Sequence, residues 1–325
     1  MSEYPQVLTI GRISVDLYGR EIGMGLDRAQ TFAKAVGGSP TNVAIGLARY
    51  GHHSAVLTGV GDDSLGTFLI NGLTDFGVST KFVRRVPDGR TPIVIAGTET
   101  ADSPEFIFYR DAKAPDTQIG LLPDEISKSI ATEVDLLWYT GSNFAVEPLR
   151  STVLDLLEKR VRKRHTIFDL DYRPTFWPDR STAHREISAA LSYASVAIGN
   201  LAECRVATGL GDSATADQLA DALLVAGVQV AIVKDGSNGV LVADHRQRES
   251  IEGLKVETVC GLGAGDGFGA GLAHGLLSGW SANTSVVFAN AAGAIVAGQL
   301  LCSEAMPRED EVLALLAKNG IRLTR

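Results

Sequence analysis

The stretch Gly263-Ala264-Gly265-Asp266-Gly267-Phe268-Gly269-Ala270 decides the reading of this chain. Three small residues and an acid open a long apolar segment, which is how a helix begins. The free N–H groups of a first helical turn, with the helix dipole behind them, attract a phosphate. A carboxylate on that turn can accept the proton of a hydroxyl attacking the phosphate. An anion cradle beside a base is what alcohol phosphorylation requires. The same residues also suit a tight packing turn in which Asp merely complements the dipole. Two other nucleotide signatures are missing. There is no G-x-x-x-x-G-K-[S/T]. The match of 265–270 to G-x-G-x-x-A lacks the acid expected about 20 residues later, because no Asp or Glu occurs between Asp266 and Glu304.

Working outward, 325 residues can bury a large core, as one α/β domain or two. The hydrophobic share of 45% and charged share of 21% are those of a globular soluble protein. A net charge of −8 without a basic block argues against nucleic acid and anionic membrane as partners. The N-terminus lacks the basic start and apolar run of a signal peptide. The nearly uncharged stretch 267–303 is cut by Gly279-Trp280-Ser281-Ala282-Asn283-Thr284, so each half reads as a buried helix and not as a membrane span. Cys204, Cys260 and Cys302 are scattered and odd in number, which suits a reducing cytoplasm. The six histidines show no metal-ligand spacing.

Apolar runs alternate with helical patterns. Buried strands are expected at 7–10, 55–57, 136–139, 166–170, 196–198 and 230–233. Helices are expected at 65–76, 147–162 and 214–226, and from Ser39-Pro40, read as N-cap and N1, to Tyr50. This alternation predicts an α/β fold with a mostly parallel central sheet covered by helices on both faces. Two segments break the rhythm. Residues 14–35 show neither a clear helix nor a buried strand. Within 83–112, the runs 91–96 and 105–109 form a β-pair around a polar turn. Together these segments suggest a small β-sheet lid on a single domain spanning 1–325.

Polar residues gather at the C-terminal ends of the expected strands, where open α/β sheets bind ligands. Asp16 follows the first strand. Asp169, Asp171 and Arg173 follow another, as do Asn200 and Glu203, and then Lys234, Asp235 and Gly236. Asn200-x-x-Glu203 is a capping box, and the same Glu could hold Mg²⁺ through water. Lys234-Asp235-Gly236-Ser237-Asn238-Gly239 is a strand–turn–strand signal.

Gly263-Ala264-Gly265-Asp266, preceded by Gly37-Gly38-Ser39-Pro40-Thr41-Asn42-Val43-Ala44, resembles the two signatures of the PfkB, or ribokinase-like, sugar kinases. Asn200-x-x-Glu203 and Lys234-Asp235-Gly236-x-x-Gly239 fall between them in the expected order. The resemblance covers essentially the whole chain. It implies a ribokinase-like fold, ATP as donor, Mg²⁺, a sugar acceptor and a homodimer. By that resemblance Asp266 is the base, and Gly263, Ala264 and Gly265 form the anion hole. Asp16, Gly38, Ser39 and Asn42 hold substrate hydroxyls. Asn200 and Glu203 form the Mg²⁺–phosphate motif, and Lys234, Gly236 and Gly239 the nucleotide strand and turn. Asn290 lies near the adenine.

Further segments, including Gly11-Arg12-Ile13-Ser14-Val15-Asp16, Phe108-Tyr109-Arg110 and Asp169-Leu170-Asp171-Tyr172-Arg173-Pro174, resemble the branch that phosphorylates a keto-deoxy sugar acid in myo-inositol breakdown. Cys260-Gly261 stands where the wider family more often has Asp-Thr, and Asp171 where it often has Asn. A sugar acid needs a cation, and Arg pairs a carboxylate bidentately. Arg110 is the expected partner, with Arg12 and Lys113 nearby in sequence, and Arg173 is a further substrate-binding candidate. The alternatives are a 2-keto-3-deoxygluconate kinase, a fructokinase- or ribokinase-type enzyme, or a sugar-binding sensor that lost turnover.

Overall fold

Short β-branched and aliphatic runs, too short for helices and apolar throughout, become strands buried on both faces. The computed structural model describes residues 4–100, 105–163, 165–254 and 256–323. Its strands are β1 (Val7–Ile10), β2 (Ser14–Gly19), β3 (Phe32–Gly37), β4 (Ser54–Gly61), β5 (Val83–Val86), β6 (Ile93–Ala96), β7 (Phe106–Tyr109), β8 (Leu136–Thr140), β9 (Thr166–Asp169), β10 (Val196–Asn200), β11 (Val230–Lys234), β12 (Val240–Asp244) and β13 (Arg248–Ile251). Nine of them form one sheet in the order β13-β12-β11-β10-β9-β8-β1-β4-β5. It is parallel from β11 to β5 and ends in the antiparallel β12–β13 pair. The order in which strands are added reverses around β1, which pairs in parallel with β4 on one side and β8 on the other. Such a switch point opens a crevice beyond the C-terminal strand ends.

Period-two alternation divides the core. Leu8, Ile10, Leu137, Tyr139 and Phe168 face the helices Leu149–Arg160, Arg180–Leu191 and Ala216–Val225. Val7, Leu136, Trp138, Ile167 and Ile198 face the helices Ser39–Arg49, Ala264–Leu277 and Ala282–Ala297. Each fully buried large side chain contributes about 1.5–3 kcal/mol. The helix Ala264–Leu277 is glycine-rich because its neighbours come close. A Cβ on Gly269 would stand 2.6 Å from the Trp138 ring. The apolar stretch after Asp266 is thus two helices broken at Gly279. Among the described residues, no helix is long and apolar enough to cross a membrane.

The second sheet is small, in the order β3-β2-β6-β7. The expected pair within 83–112 is β6–β7, antiparallel from Ile93↔Tyr109 to Ala96↔Phe106, and residues 101–104 of its turn lie outside the described residues. Two differences from the sequence reading follow. Residues 14–19 and 32–37 are strands, pairing from Ser14↔Gly37 to Gly19↔Phe32. Val83–Val86 does not join the small sheet; it pairs with β4 at the edge of the large one. The helix start near Ser39 also shifts by one. Gly38 is the N-cap, at φ +102°, and no side chain caps the helix. Ser39 is therefore inside the first turn, and its hydroxyl turns into the cleft.

Candidate active site

A cleft of about 720 Å³ opens at the C-terminal ends of the parallel strands, beneath the small sheet. Arg12, Asp16, Gly38, Ser39, Asn42, Arg173, Asn200, Glu203, Lys234, Gly236, Gly263, Gly265 and Asp266 line its floor and walls, with Val94, Phe106 and Phe108 from the small sheet above. Residues spread over 250 positions of sequence meet here because β1, β9, β10 and β11 end side by side.

The floor is a helix start. Gly263 is the N-cap of Ala264–Leu277 at φ +80°, and a Cβ there would run into the Cys302 side chain. No side chain caps this helix, so its first-turn N–H groups remain available to an anion. At Gly265 a Cβ would project into the space in front of Lys234, 3.5 Å from Nζ. Backbone donors on one side and an ammonium on the other make a cradle of phosphate size. Lys234 ends β11 and pairs in register with Asn200, which ends β10.

Asp266 is half-buried, one residue beyond this cradle. Burial pushes its carboxyl above the usual range, and the hydrogen bonds from Asn42 and Ser39 only partly offset that. Asn42 Nδ2 donates to Asp266 Oδ2 at 2.8 Å, and Cys302 Sγ lies 3.8 Å from the same oxygen. Asn42 Oδ1 is buried without a hydrogen-bond partner, an acceptor suited to a substrate hydroxyl. Across the cleft, Ser14 Oγ donates to Asp16 Oδ1 at 2.6 Å. Burial raises Asp16 to about 7, against the lowering effect of Ser14 and Tyr18. A base whose proton affinity is raised without being lost can take a hydroxyl proton near neutrality.

Both readings of Asn200-x-x-Glu203 concern one geometry. The capping box is formed: Asn200 N donates to Glu203 Oε2 at 2.7 Å, and Glu203 N to Asn200 Oδ1 at 2.9 Å. Glu203 nonetheless lines the cleft, and a carboxylate has lone pairs beyond those the cap uses. Among the described residues, no group of three or more His, Cys, Asp or Glu is placed to hold a metal ion. A Mg²⁺ ion that keeps most of its waters and touches a single carboxylate fits this arrangement.

The cations are distributed differently from the sequence reading. Arg110 does not line this cleft. Its Nη2 donates to Asp116 Oδ1 at 2.9 Å, and Asp116 is fully buried. The pair borders a neighbouring cavity of about 170 Å³, with Arg110 over the Phe176 ring. Arg110, expected to pair the substrate carboxylate, is thus placed outside the lining of this cleft, beside an acid that has no access to water. Arg12 and Arg173 line the cleft instead. Asp171 joins them, accepting from Arg12 Nη2 at 2.5 Å and from Arg173 Nε at 3.0 Å. Two further residues fall outside the cleft lining. Asn290 Nδ2 donates to the Glu252 carbonyl at 3.2 Å. Gly239, at φ +98°, turns the chain where any side chain would strike the Ile251 carbonyl. Asp169, which the sequence reading left without a role, lies behind Ser39, whose Oγ is 3.5 Å from Asp169 Oδ2. Cys302 is a neighbour of Asp266 that no motif marked.

Comparison with known proteins agrees with this geometry. The model of the pfkB family carbohydrate kinases matches residues 5–309. A 5-dehydro-2-deoxygluconokinase of Clostridium tetani is 28% identical over 313 residues, 94% of this chain and 91% of that one. Among solved structures, a PfkB protein from Polaromonas sp. JS666 is 25% identical with a TM-score of 0.79, covering 96% of this chain and 99% of that one. A fructokinase with bound ATP from Xylella fastidiosa has the same ribokinase-like fold at 21% identity, with a TM-score of 0.82 and coverage of 98% and 100%. A match over nearly the whole length, on a fold whose strand ends bring the four motifs into one cleft, makes this chain a member of the pfkB family of carbohydrate kinases.

Proposed function

We propose that the protein transfers the γ-phosphate of ATP to a sugar acid, and that the acceptor is 5-dehydro-2-deoxy-D-gluconate, phosphorylated to its 6-phosphate in myo-inositol degradation. The carrying observation is that a half-buried carboxyl whose proton affinity is raised, an uncapped helix start and two guanidinium groups share one cleft. Relatives named 5-dehydro-2-deoxygluconokinase support the acceptor, and a neighbour with bound ATP supports the donor.

In this reading Asp16 and Asn42 orient the sugar hydroxyls, and Asp266 takes the proton of the attacking one. The first-turn N–H groups from Gly263 to Gly265 and the Lys234 ammonium hold the transferring phosphate. Mg²⁺, when bound near Glu203, neutralises phosphate charge. The small sheet is the lid, and Val94, Phe106 and Phe108 keep water from the phosphate. Arg12 and Arg173 take the carboxylate role expected of Arg110. The outward apolar side chains Phe32, Ile107 and Tyr109 of the small sheet support a homodimer formed through the lids. The three free, buried thiols suit a cytoplasmic enzyme.

ATP consumption measured over a panel of acceptors tests the proposal. 5-Dehydro-2-deoxygluconate should exceed 2-keto-3-deoxygluconate, fructose and ribose in kcat/KM. A preference for 2-keto-3-deoxygluconate would keep the sugar-acid class and replace the acceptor, and a preference for a neutral sugar would overturn both.

A further inference from the structure

Asp171 is 2% exposed and follows β9 at φ +26°, a left-handed conformation that a non-glycine residue rarely adopts. Backbone strain of this kind persists where surrounding interactions hold it. Those interactions are unusual here. Asp171 Oδ2 accepts from Arg12 Nη2 at 2.5 Å and from Ser142 Oγ at 3.0 Å, and Oδ1 accepts from Arg173 Nε at 3.0 Å. Burial opposes its charge, yet Arg12 and Arg173 outweigh burial and hold its carboxyl below the usual range. Arg12 is fixed further by Ser142, 3.2 Å from Nε, and by the Phe176 ring, 5.3 Å from its guanidinium carbon. The Arg173 side chain is 41% exposed and lines the cleft.

Two guanidinium groups thus share one buried carboxylate at this end of the cleft. We infer that Asp171 is a positioning residue that aims Arg12 and Arg173 at the acceptor, so that the cleft selects a sugar acid over a neutral sugar. This inference rests on the sugar-acid reading above and goes beyond it, because it assigns the selectivity to a residue that does not touch the substrate.

The test compares wild type, Asp171→Asn and Arg173→Gln on two acceptors, D-fructose and 5-dehydro-2-deoxygluconate. Asp171→Asn removes the shared carboxylate and loosens both forks. KM for the acid should rise about 10- to 100-fold with kcat within a few fold. KM for ATP should stay within about twofold, and KM for fructose should change far less than that for the acid. A merely structural role would lower activity on both acceptors alike, and that result overturns the inference. Should Asp171→Asn fail to fold, Arg173→Gln at a half-exposed position carries the test. It removes one of the two forks, so the preference for the acid over fructose should fall at least about tenfold; an unchanged preference overturns the inference. Wild type preferring fructose would remove the sugar-acid reading itself. Wild type preferring the acid, with variants that keep its selectivity, removes only the role of Asp171.

Discussion

Asn42 and Asp266 belong to helices that begin far apart in the chain, and the Asn42 amide donates to the Asp266 carboxylate at 2.8 Å. Both helices start in the cleft, and neither carries a side-chain cap. The hydrogen bond ties the two starts together, so the group proposed to bind hydroxyls and the group proposed to deprotonate them have one fixed relation.

Replacing Asp266 with Asn removes the base and keeps the cradle. The turnover number should fall by roughly 10²- to 10⁴-fold while KM for ATP stays within a few fold. Steady-state kinetics checks this, and near-normal kcat would place the base elsewhere. The wild-type pH profile gives a second readout. Only the ionised carboxylate accepts a proton, and burial raises its pKa. The acid limb of kcat/KM should therefore fall at a pH above the ordinary Asp range of about 3.9.

At Gly265 a valine would place its branched side chain in the cradle in front of Lys234. KM for ATP should rise by roughly tenfold or more, and the melting temperature should change little because the position opens to the cleft. Wild-type ATP kinetics in the folded variant would remove the anion-hole assignment.

Asp16 links function to stability. Burial pushes its carboxyl up to about 7 in the fold, against about 3.9 for an Asp in solution. Between those values the folded state binds the extra proton, so this contribution to stability is lost as pH rises through the folded pKa. Asp16→Asn removes the penalty. Denaturant unfolding should show the variant more stable by about 1–4 kcal/mol at pH 8 and almost equal to wild type at pH 4. Its kcat/KM should fall, since a substrate acceptor is lost. Equal stabilities at pH 8 would show that Asp16 ionises in the fold as readily as in solution.

Arg110→Met should act on stability and leave acid selectivity alone. It strands the fully buried Asp116, a loss of about 3–5 kcal/mol, read as a drop in melting temperature. The ratio of kcat/KM for acid and neutral acceptors should hold. A selective loss on the acid would return the carboxylate role to Arg110.

The large sheet was legible in the sequence because its strands are buried on both faces and read as unbroken apolar runs, such as Leu136 to Tyr139 and Val230 to Val233. β2 and β3 were not. The burial of Phe32–Gly37 alternates and then stays buried, and two alanines, a lysine and a glycine leave Val36 as its one β-branched residue. The Ser39 start was misplaced because Ser-Pro is an ordinary N-cap pair, whereas here a glycine takes that position and frees the serine for the cleft. The helix start that brings Gly263, Gly265 and Asp266 into the cleft was legible because neighbours in sequence make it. Arg110 was not, because nothing near it in sequence reveals that Asp116 is buried against it. The Arg12–Asp171–Arg173 cluster joins strand ends 159 residues apart, a proximity that only the fold creates.

The most direct test of the account is the kcat/KM of the purified protein for ATP-dependent phosphorylation of 5-dehydro-2-deoxygluconate, set beside that for D-fructose. The account predicts a preference for the acid of at least about a hundredfold, the value of one charge-assisted pairing that the neutral sugar cannot make. Equal or better turnover of fructose would contradict it.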